Sequence, residues 1–176
     1  MYHGCGGEHR AAMTPQAVRL AFAGAAFLNP ELSRLLDWVR DLDEPGFLED
    51  LGTDPLSLET DYNRLFLSPE GAVCPPWQGA HTADERLMGD SHLSALDWYR
   101  RFGIEPAANN EPADHIGLLL LFYSRLIDSG ADDAERQVFR LQHLDWIPPF
   151  CAKVEQEARH PFWRRLARLT PEWIHG

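Results

Sequence analysis

The sequence predicts an all-α protein, and three features carry that prediction. Apolar residues recur at three- and four-residue intervals along most of the chain, the spacing that lines one face of a helix. No stretch alternates apolar and polar residues over a strand's length, and no strand–helix alternation is visible. The punctuation is that of helices: Thr14-Pro15, Asn29-Pro30, Asp54-Pro55 and Pro148-Pro149 place a capping residue or a proline where a helix can begin.

Residues Met1 to Met13 are glycine-rich and unpatterned and read as a mobile tail. His3, Cys5 and His9 are a metal-ligand set only in principle, because a short flexible tail rarely fixes ligand geometry. From Thr14-Pro15 a helix carries Val18, Phe22, Ala25 and Ala26 on one stripe and stops near Leu28. Asn29-Pro30 repeats the cap-then-proline device, and Leu32, Leu35, Leu36 and Val39 form the apolar face of a second helix. Asp43 to Gly52 reads as a turn and a short helical piece stopped by Gly52. Asp54-Pro55 starts another helix, with Leu58, Tyr62, Leu65 and Phe66 on its inner side. Ser68-Pro69-Glu70-Gly71 is a turn, and the prolines of Cys74-Pro75-Pro76-Trp77 make a stiff extended loop ending in a large flat side chain. Thr82-Ala83-Asp84-Glu85 has the form of a capping box that restarts helix. Gly89-Asp90-Ser91 caps the next helix, which runs through Leu93, Leu96, Trp98 and Tyr99 to Gly103. Ile104 to Asn110 is loop.

The chain is organised around the helix that follows, at about 112–129. Pro112 suits its first turn, and Asp114 falls inside that turn at the positive end of the helix dipole, with His115 next. From Ile116 to Tyr123 almost every residue is apolar, so the helix is buried rather than amphipathic. The run is far short of the roughly 20 residues a membrane span needs, which leaves the central helix of a bundle and no transmembrane segment. Its N-terminus carries an acid and an imidazole to a surface or groove. Beyond it, Asp132 to Trp146 carries Val138, Leu141, His143 and Leu144, and Pro148-Pro149 forces a break and a new start. Phe150 to His160 is amphipathic. Pro161 opens the last helix, with Phe162, Leu166 and Leu169 inward and Arg164, Arg165 and Arg168 outward. With no internal repeat, residues 1–176 read as one domain.

The 176 residues, 44% hydrophobic and 24% charged, suffice for one real core. A formal net charge of −11 argues against a nucleic-acid partner; it would suit a cationic peptide, but from charge alone solubility is the favoured reading. Cys5, Cys74 and Cys151 show no paired spacing, so neither a zinc site nor a disulfide framework is indicated, and no cofactor is implied. No apolar segment follows a basic start, so a cytoplasmic location is expected.

Asp114 beside His115 invites a general-base reading, and a small hydrolase is the catalytic alternative. Adjacent helical residues, however, point about 100° apart. No nucleophile elbow, P-loop, dinucleotide fingerprint or zinc-protease motif is present, and Cys74 has no evident neighbour to lower its pKa. A structural alternative is equally open: Asp114 satisfies N–H groups at a helix start and His115 is a core histidine. Trp77 must pack, either as a lid on the core or as an anchor for a ligand.

Asp61-Tyr62-Asn63-Arg64-Leu65-Phe66, Pro75-Pro76-Trp77, Gly89-Asp90 and Asn110-Glu111-Pro112-Ala113-Asp114-His115 fall in an ordered series. Phe139-Arg140-Leu141-Gln142-His143-Leu144-Asp145-Trp146 and Glu157-Ala158-Arg159-His160-Pro161-Phe162 continue it. Together these blocks resemble the TorD/DmsD family of redox-enzyme maturation chaperones, with the nitrate-reductase (NarJ-type) chaperones as more distant relatives. Glu-Pro-x-Asp-His is that family's hallmark, and the Pro-Pro-Trp and Gly-Asp blocks look closest to the DmsD branch. Nothing before Asp54 matches a motif. The resemblance implies an all-helical cytoplasmic chaperone without catalysis, whose partners are the twin-arginine signal peptide and the catalytic subunit of a molybdopterin oxidoreductase. It implies that export of a dimethyl sulfoxide reductase-like subunit is delayed until cofactor insertion. A nitrate-reductase-type or non-exported client is the alternative. Carried over position by position, the implied peptide-binding residues are Tyr62, Leu65, Phe66, Pro76, Trp77, Gly89, Pro112, Asp114 and His115. A monomer or a helix-swapped dimer fits, since segments such as Ile104 to Asn110 would permit exchange.

Overall fold

The computed structural model describes residues 13–52, 54–68, 71–82, 88–105 and 111–176, and these form nine α-helices with no strand. In chain order they are α1 (Pro15–Leu28), α2 (Leu32–Val39), α3 (Gly46–Leu51), α4 (Pro55–Tyr62), α5 (Asp90–Arg101), α6 (Ile116–Asp128), α7 (Asp133–His143), α8 (Ile147–Glu157) and α9 (Pro161–His175). Local chemistry sets most of the starts. Thr14, Asp54 and Asp132 accept hydrogen bonds from first-turn amides of α1, α4 and α7, and proline opens α1, α4 and α9. Gly103 and Gly130, at φ of +67° and +71°, end α5 and α6 in the left-handed conformation that glycine adopts without strain.

Two helices form the centre. α6 is buried over most of its circumference, as its apolar run predicts, and α1 is nearly as buried. The sequence suggests only a stripe on α1; in fact its small residues, Ala17, Ala21, Ala23, Gly24 and Ala26, are all inside, while Ala25 is half-buried. They are small because the helices cross very closely. A Cβ on Gly24 would lie 2.7 Å from the Gly117 carbonyl, and one on Gly117 would lie 2.5 Å from Leu28 Cγ. Ser124 Oγ donates to Ala17 O at 2.7 Å, so the two helices run antiparallel and the start of α6 meets the end of α1. Phe22, Phe47, Phe162 and Trp173 pack edge to face on one side. On another, Phe66 packs edge to face on Phe27 and Trp163, and Phe150 packs tilted against Phe27. Among the described residues no helix is long and apolar enough to cross a membrane.

Several sequence expectations are corrected. Asn29-Pro30 does not start α2: Asn29 closes α1, Glu31 N–H donates back to Asn29 O at 2.9 Å around the proline, and α2 begins at Leu32 behind Glu31. The central helix starts at Ile116 rather than near Pro112; Ala113 and Asp114 lie in a turn, and His115 is the N-cap. Val138 and Leu141 are exposed, because α7 turns the edge bearing Phe139 and His143 to the core. Arg165 is only partly outward, its side chain 29% exposed and pinned by an acid. Its Nε donates to Asp50 Oδ2 at 2.6 Å, and a Cβ on Gly46 would fall within 2.2 Å of the guanidinium. The capping box Thr82–Glu85, the tail before Met13, Pro69-Glu70 and the loop 106–110 lie wholly or partly outside the described residues.

Gly24→Ala discriminates packing from propensity. In an ordinary helix the change stabilises by roughly 0.5–1 kcal/mol. Here the new methyl meets backbone, so the variant is expected to lose about 1–3 kcal/mol in urea denaturation. A stabilised variant would mean that the crossing is loose.

Candidate functional site

The start of α6 is set by an extended loop that pairs with it. The loop bearing Pro75, Pro76 and Trp77 runs extended against residues 114–116, with Trp77 opposite His115 in an isolated antiparallel bridge. Ile116 N–H donates to Pro76 O at 2.7 Å, and Gln78 N–H to Asp114 O at 3.0 Å. This pairing holds His115 extended (φ −64°, ψ 133°) and so moves the helix start beyond it. His115 is 2% exposed, and its Nδ1 accepts from Gly117 N–H at 3.1 Å. Burial pulls its pKa down to about 4, so the ring is neutral at pH 7.

Asp114 is the unusual group. It is 1% exposed, and its Oδ2 accepts from Gly79 N–H at 2.8 Å. Its Oδ1 has no hydrogen-bond donor among the described residues, His115 included. Burial raises its pKa; the Gly79 amide, then the backbone amide of Asp114 itself, then the charge of His92 oppose the shift. A buried polar atom left unpaired costs about 1–3 kcal/mol, and more when charged.

Gln78 fastens the same loop to the opposite wall. Its Nε2 donates to Gln142 O at 2.7 Å, and its Oε1 accepts from His143 Nδ1–H at 2.9 Å. With Nδ1 protonated, His143 Nε2 accepts from the Ser94 hydroxyl at 3.1 Å. Burial pulls His143 down to about 4 as well. Trp98 Nε1–H donates to Gln142 Oε1, and His81 stacks on Trp146 with centroids 4.7 Å apart.

Pro76, Trp77, Pro112, Asp114 and His115 therefore meet at one junction. Pro76, Pro112, Asp114 and His115 are buried there, whereas Trp77 is half-buried. Its indole makes no aromatic pair and no N–H hydrogen bond with a described residue. Gly89 is the half-buried N-cap of α5; the left-handed residue in that turn is Met88, at φ +58°. The turn connects to the junction through His92, whose Nδ1 accepts from Ala113 N–H at 2.8 Å. Tyr62, Leu65 and Phe66 lie in the core. The Tyr62 hydroxyl donates to the last carbonyls of α1, 2.9 Å from Phe27 O and 3.0 Å from Leu28 O. Burial and then the charge of Glu111 push its pKa up. Leu65 and Phe66 sit in a π-helical turn, Asn63–Leu67, that continues α4, and Leu65 O accepts from Cys74 N–H at 2.8 Å. That bond ties the π turn to the chain just ahead of the Pro75–Trp77 loop.

Residues that sequence reasoning left without a role are Gln78, Ser94, Gln142, His143 and Asp61. Gln78 follows Trp77 directly, and His143 lies in a quoted block, but only the fold shows that they meet. Asp61 Oδ2 accepts from Arg159 N–H and His160 N–H at 2.7 and 2.8 Å, tying α4 to the start of α9. Burial pushes the Cys74 thiol up to about 11, so it is not a thiolate at neutral pH. No cluster of metal-ligating side chains occurs among the described residues. A cleft of about 490 Å³ between α4 and the start of α9, bordered by Asp54, Arg64 and Arg159, contains none of the nine positions.

The profile of the nitrate reductase delta subunit family matches residues 27–152. The chain is 36% identical over 119 residues to the Tat proofreading chaperone DmsD of Salmonella typhi, covering 65% of this chain and 58% of that protein. It is 37% identical over 124 residues to the chaperone protein YcdY of Escherichia coli K12 (69% and 63% covered). It is 29% identical over 161 residues to the chaperone protein TorD of Shewanella loihica (86% and 72% covered). It thus spans less than two thirds of the DmsD and YcdY relatives. A solved structure from Archaeoglobus fulgidus, assigned provisionally as a redox enzyme maturation protein, superposes with a TM-score of 0.68. It shares 20% identity over 93% of this chain and 94% of its own, a likeness of fold.

His115 and His143 titrate lower in the folded chain than when unfolded, so the unfolded state takes up protons first as pH falls. Their contribution to stability is complete above about pH 6.5 and is lost towards about pH 4. Asp114, shifted up, works in the opposite sense. Urea denaturation is expected to show stability falling between pH 6.5 and 5, and less steeply in His143→Gln. A flat profile there would mean that these rings stay solvated.

Proposed function

We propose, from the premise that this chain belongs to the nitrate reductase delta subunit family, that it is a redox-enzyme maturation chaperone acting by binding rather than catalysis. Its ligand is the twin-arginine signal peptide of a molybdopterin oxidoreductase subunit, dimethyl sulfoxide reductase-like, held in the cytoplasm until cofactor insertion. Residues 1–176 work as one domain. The observation that carries this reading is the pair formed by Asp114 Oδ1, a buried carboxylate oxygen with no donor among the described residues, and Trp77, a half-buried ring with no aromatic pair among them, on one backbone bridge.

Each group matches one part of a signal peptide. A guanidinium supplies the planar donors that Asp114 lacks, better than an ammonium does. The flat face of Trp77 suits the apolar stretch, with Gly89 at the rim and His115 and the two prolines shaping the wall. Tyr62, Leu65 and Phe66 serve as the floor, contacting a ligand only when the loop lifts. The net charge of −11 draws a basic segment in and fades with salt. Relatives bearing the names Tat proofreading chaperone and chaperone protein support the same assignment.

Calorimetric titration with a synthetic twin-arginine peptide and a twin-lysine control tests this reading. Saturable one-to-one binding is expected, weaker in the control, weaker at high salt and weaker in Trp77→Ala. Asp114→Asn is expected to lose roughly 2 kcal/mol or more of binding, the scale for truncating one side of a buried charged pair, without lowering the melting temperature. Equal affinity for both peptides and in Asp114→Asn would remove Asp114 from the site. Absence of saturable heat with any such peptide would refute signal-peptide recognition.

A further inference from the structure

The free protein holds its own site shut. Asp114 is 1% exposed, so no guanidinium from outside can reach Oδ1 in this arrangement. What covers it includes the loop from Pro76 to Gly79, bonded across the carboxylate through Gly79 N–H and through the bridge to His115. Gln78 is the loop residue whose own side chain bonds to the opposite wall, and the Thr82 hydroxyl donates to Gly79 O at 3.1 Å. Gln78 is buried and uses both ends of its amide, on Gln142 O and on His143 Nδ1–H, and Ser94 supports His143 from behind. The bonds are short, and every polar atom of the Gln78 amide group and of the His143 ring has a partner.

We propose that Gln78, held by His143 and Ser94, is a positioning residue that latches the Pro76–Gly79 loop over Asp114, and that ligand entry requires this latch to open. The inference rests on the binding reading above and adds its regulation. A site closed in the resting state binds with an affinity reduced by the fraction of molecules that are open. Loosening the latch raises that fraction, so association should become faster even though the protein has lost hydrogen bonds. A merely structural role predicts no such gain. Gln142 acts here through its backbone carbonyl, so Gln78 is the member to remove.

The test combines hydrogen exchange on the free protein with stopped-flow association of the twin-arginine peptide. In Gln78→Ala, exchange at the Gly79 and Ile116 amides is expected to accelerate while exchange within α1 and α9 is unchanged. The association rate constant should rise about tenfold, within the span that variants of one interface cover. Ser94→Ala, which leaves Gln78 in place, should move both readouts in the same direction by less, and it decides the matter if Gln78→Ala fails to fold. Unchanged amide exchange in the folded variants overturns the latch. Accelerated exchange with unchanged or slower association overturns the claim that opening limits entry. Accelerated exchange in a protein that takes up no peptide in any form upholds the latch and sinks the signal-peptide reading instead.

Discussion

The close crossing of α1 and α6 is the constraint on which the remaining structure rests. Gly24 and Gly117 let two backbones approach to a distance that any Cβ would obstruct. Because the helices are antiparallel, that contact brings the carbonyl end of α1 beside the amide end of α6. Tyr62 then reaches the last α1 carbonyls, and its ring sets the position of α4 and the π turn that follows. The loop tied to Leu65 through Cys74 N–H is carried to the start of α6, where it pairs with His115. Shape at the junction descends from two missing side chains 93 positions apart in sequence (117 minus 24).

Histidine closes two helices by one device. His115 and His160 both precede a helix in extended conformation, and each accepts through Nδ1 the amide of the second residue following. An imidazole can do this only when Nδ1 is unprotonated, so burial, which favours the neutral ring, and capping reinforce each other. Around His160 the environment is complete: Asp61 accepts its backbone N–H, and Trp163 Nε1–H finds Leu58 O. Around His115 it is not, because the neighbouring carboxylate keeps one oxygen unpaired. Equivalent local chemistry thus yields a structural joint at one helix start and an unfinished one at the other. The unfinished one is where a ligand has something to offer.

Most of the fold was legible because it is written locally. Thr14-Pro15, Asp54-Pro55 and Pro161 mark helix starts by capping and by proline geometry, and those starts are where the structure has them. The failures share a cause. The helix start near Pro112, the Asn29-Pro30 cap and the outward Arg165 were each overridden by a partner distant in sequence or by a tighter local turn: the Trp77 bridge, the Glu31 to Asn29 bond, and Asp50. Within the site, Trp77, Asp114 and His115 could be singled out as residue types in suspicious places. Tyr62, Leu65 and Phe66 were legible as an inner face, but the bond from Cys74 N–H to Leu65 O that links the π turn to the loop was not, because it joins backbone atoms and leaves no mark on residue type. Gln78 and His143 were equally silent, since their pairing exists only once α7 is packed beside the loop.

The dependence of α1 on distant partners also sets a timetable. Ser124 bonds back to Ala17 across 107 residues, and Gln16 reaches Trp173 O across 157. During synthesis α1 emerges as an apolar helix with nothing to cross, and at about 5–20 residues per second its partner α6 follows only after roughly 5–20 s. Until then its alanines and phenylalanines face water or whatever holds nascent chains. The junction between Trp77 and His115 cannot assemble earlier than that. A protein proposed to chaperone an unfinished enzyme is, for those seconds, an unfinished chain needing shelter itself.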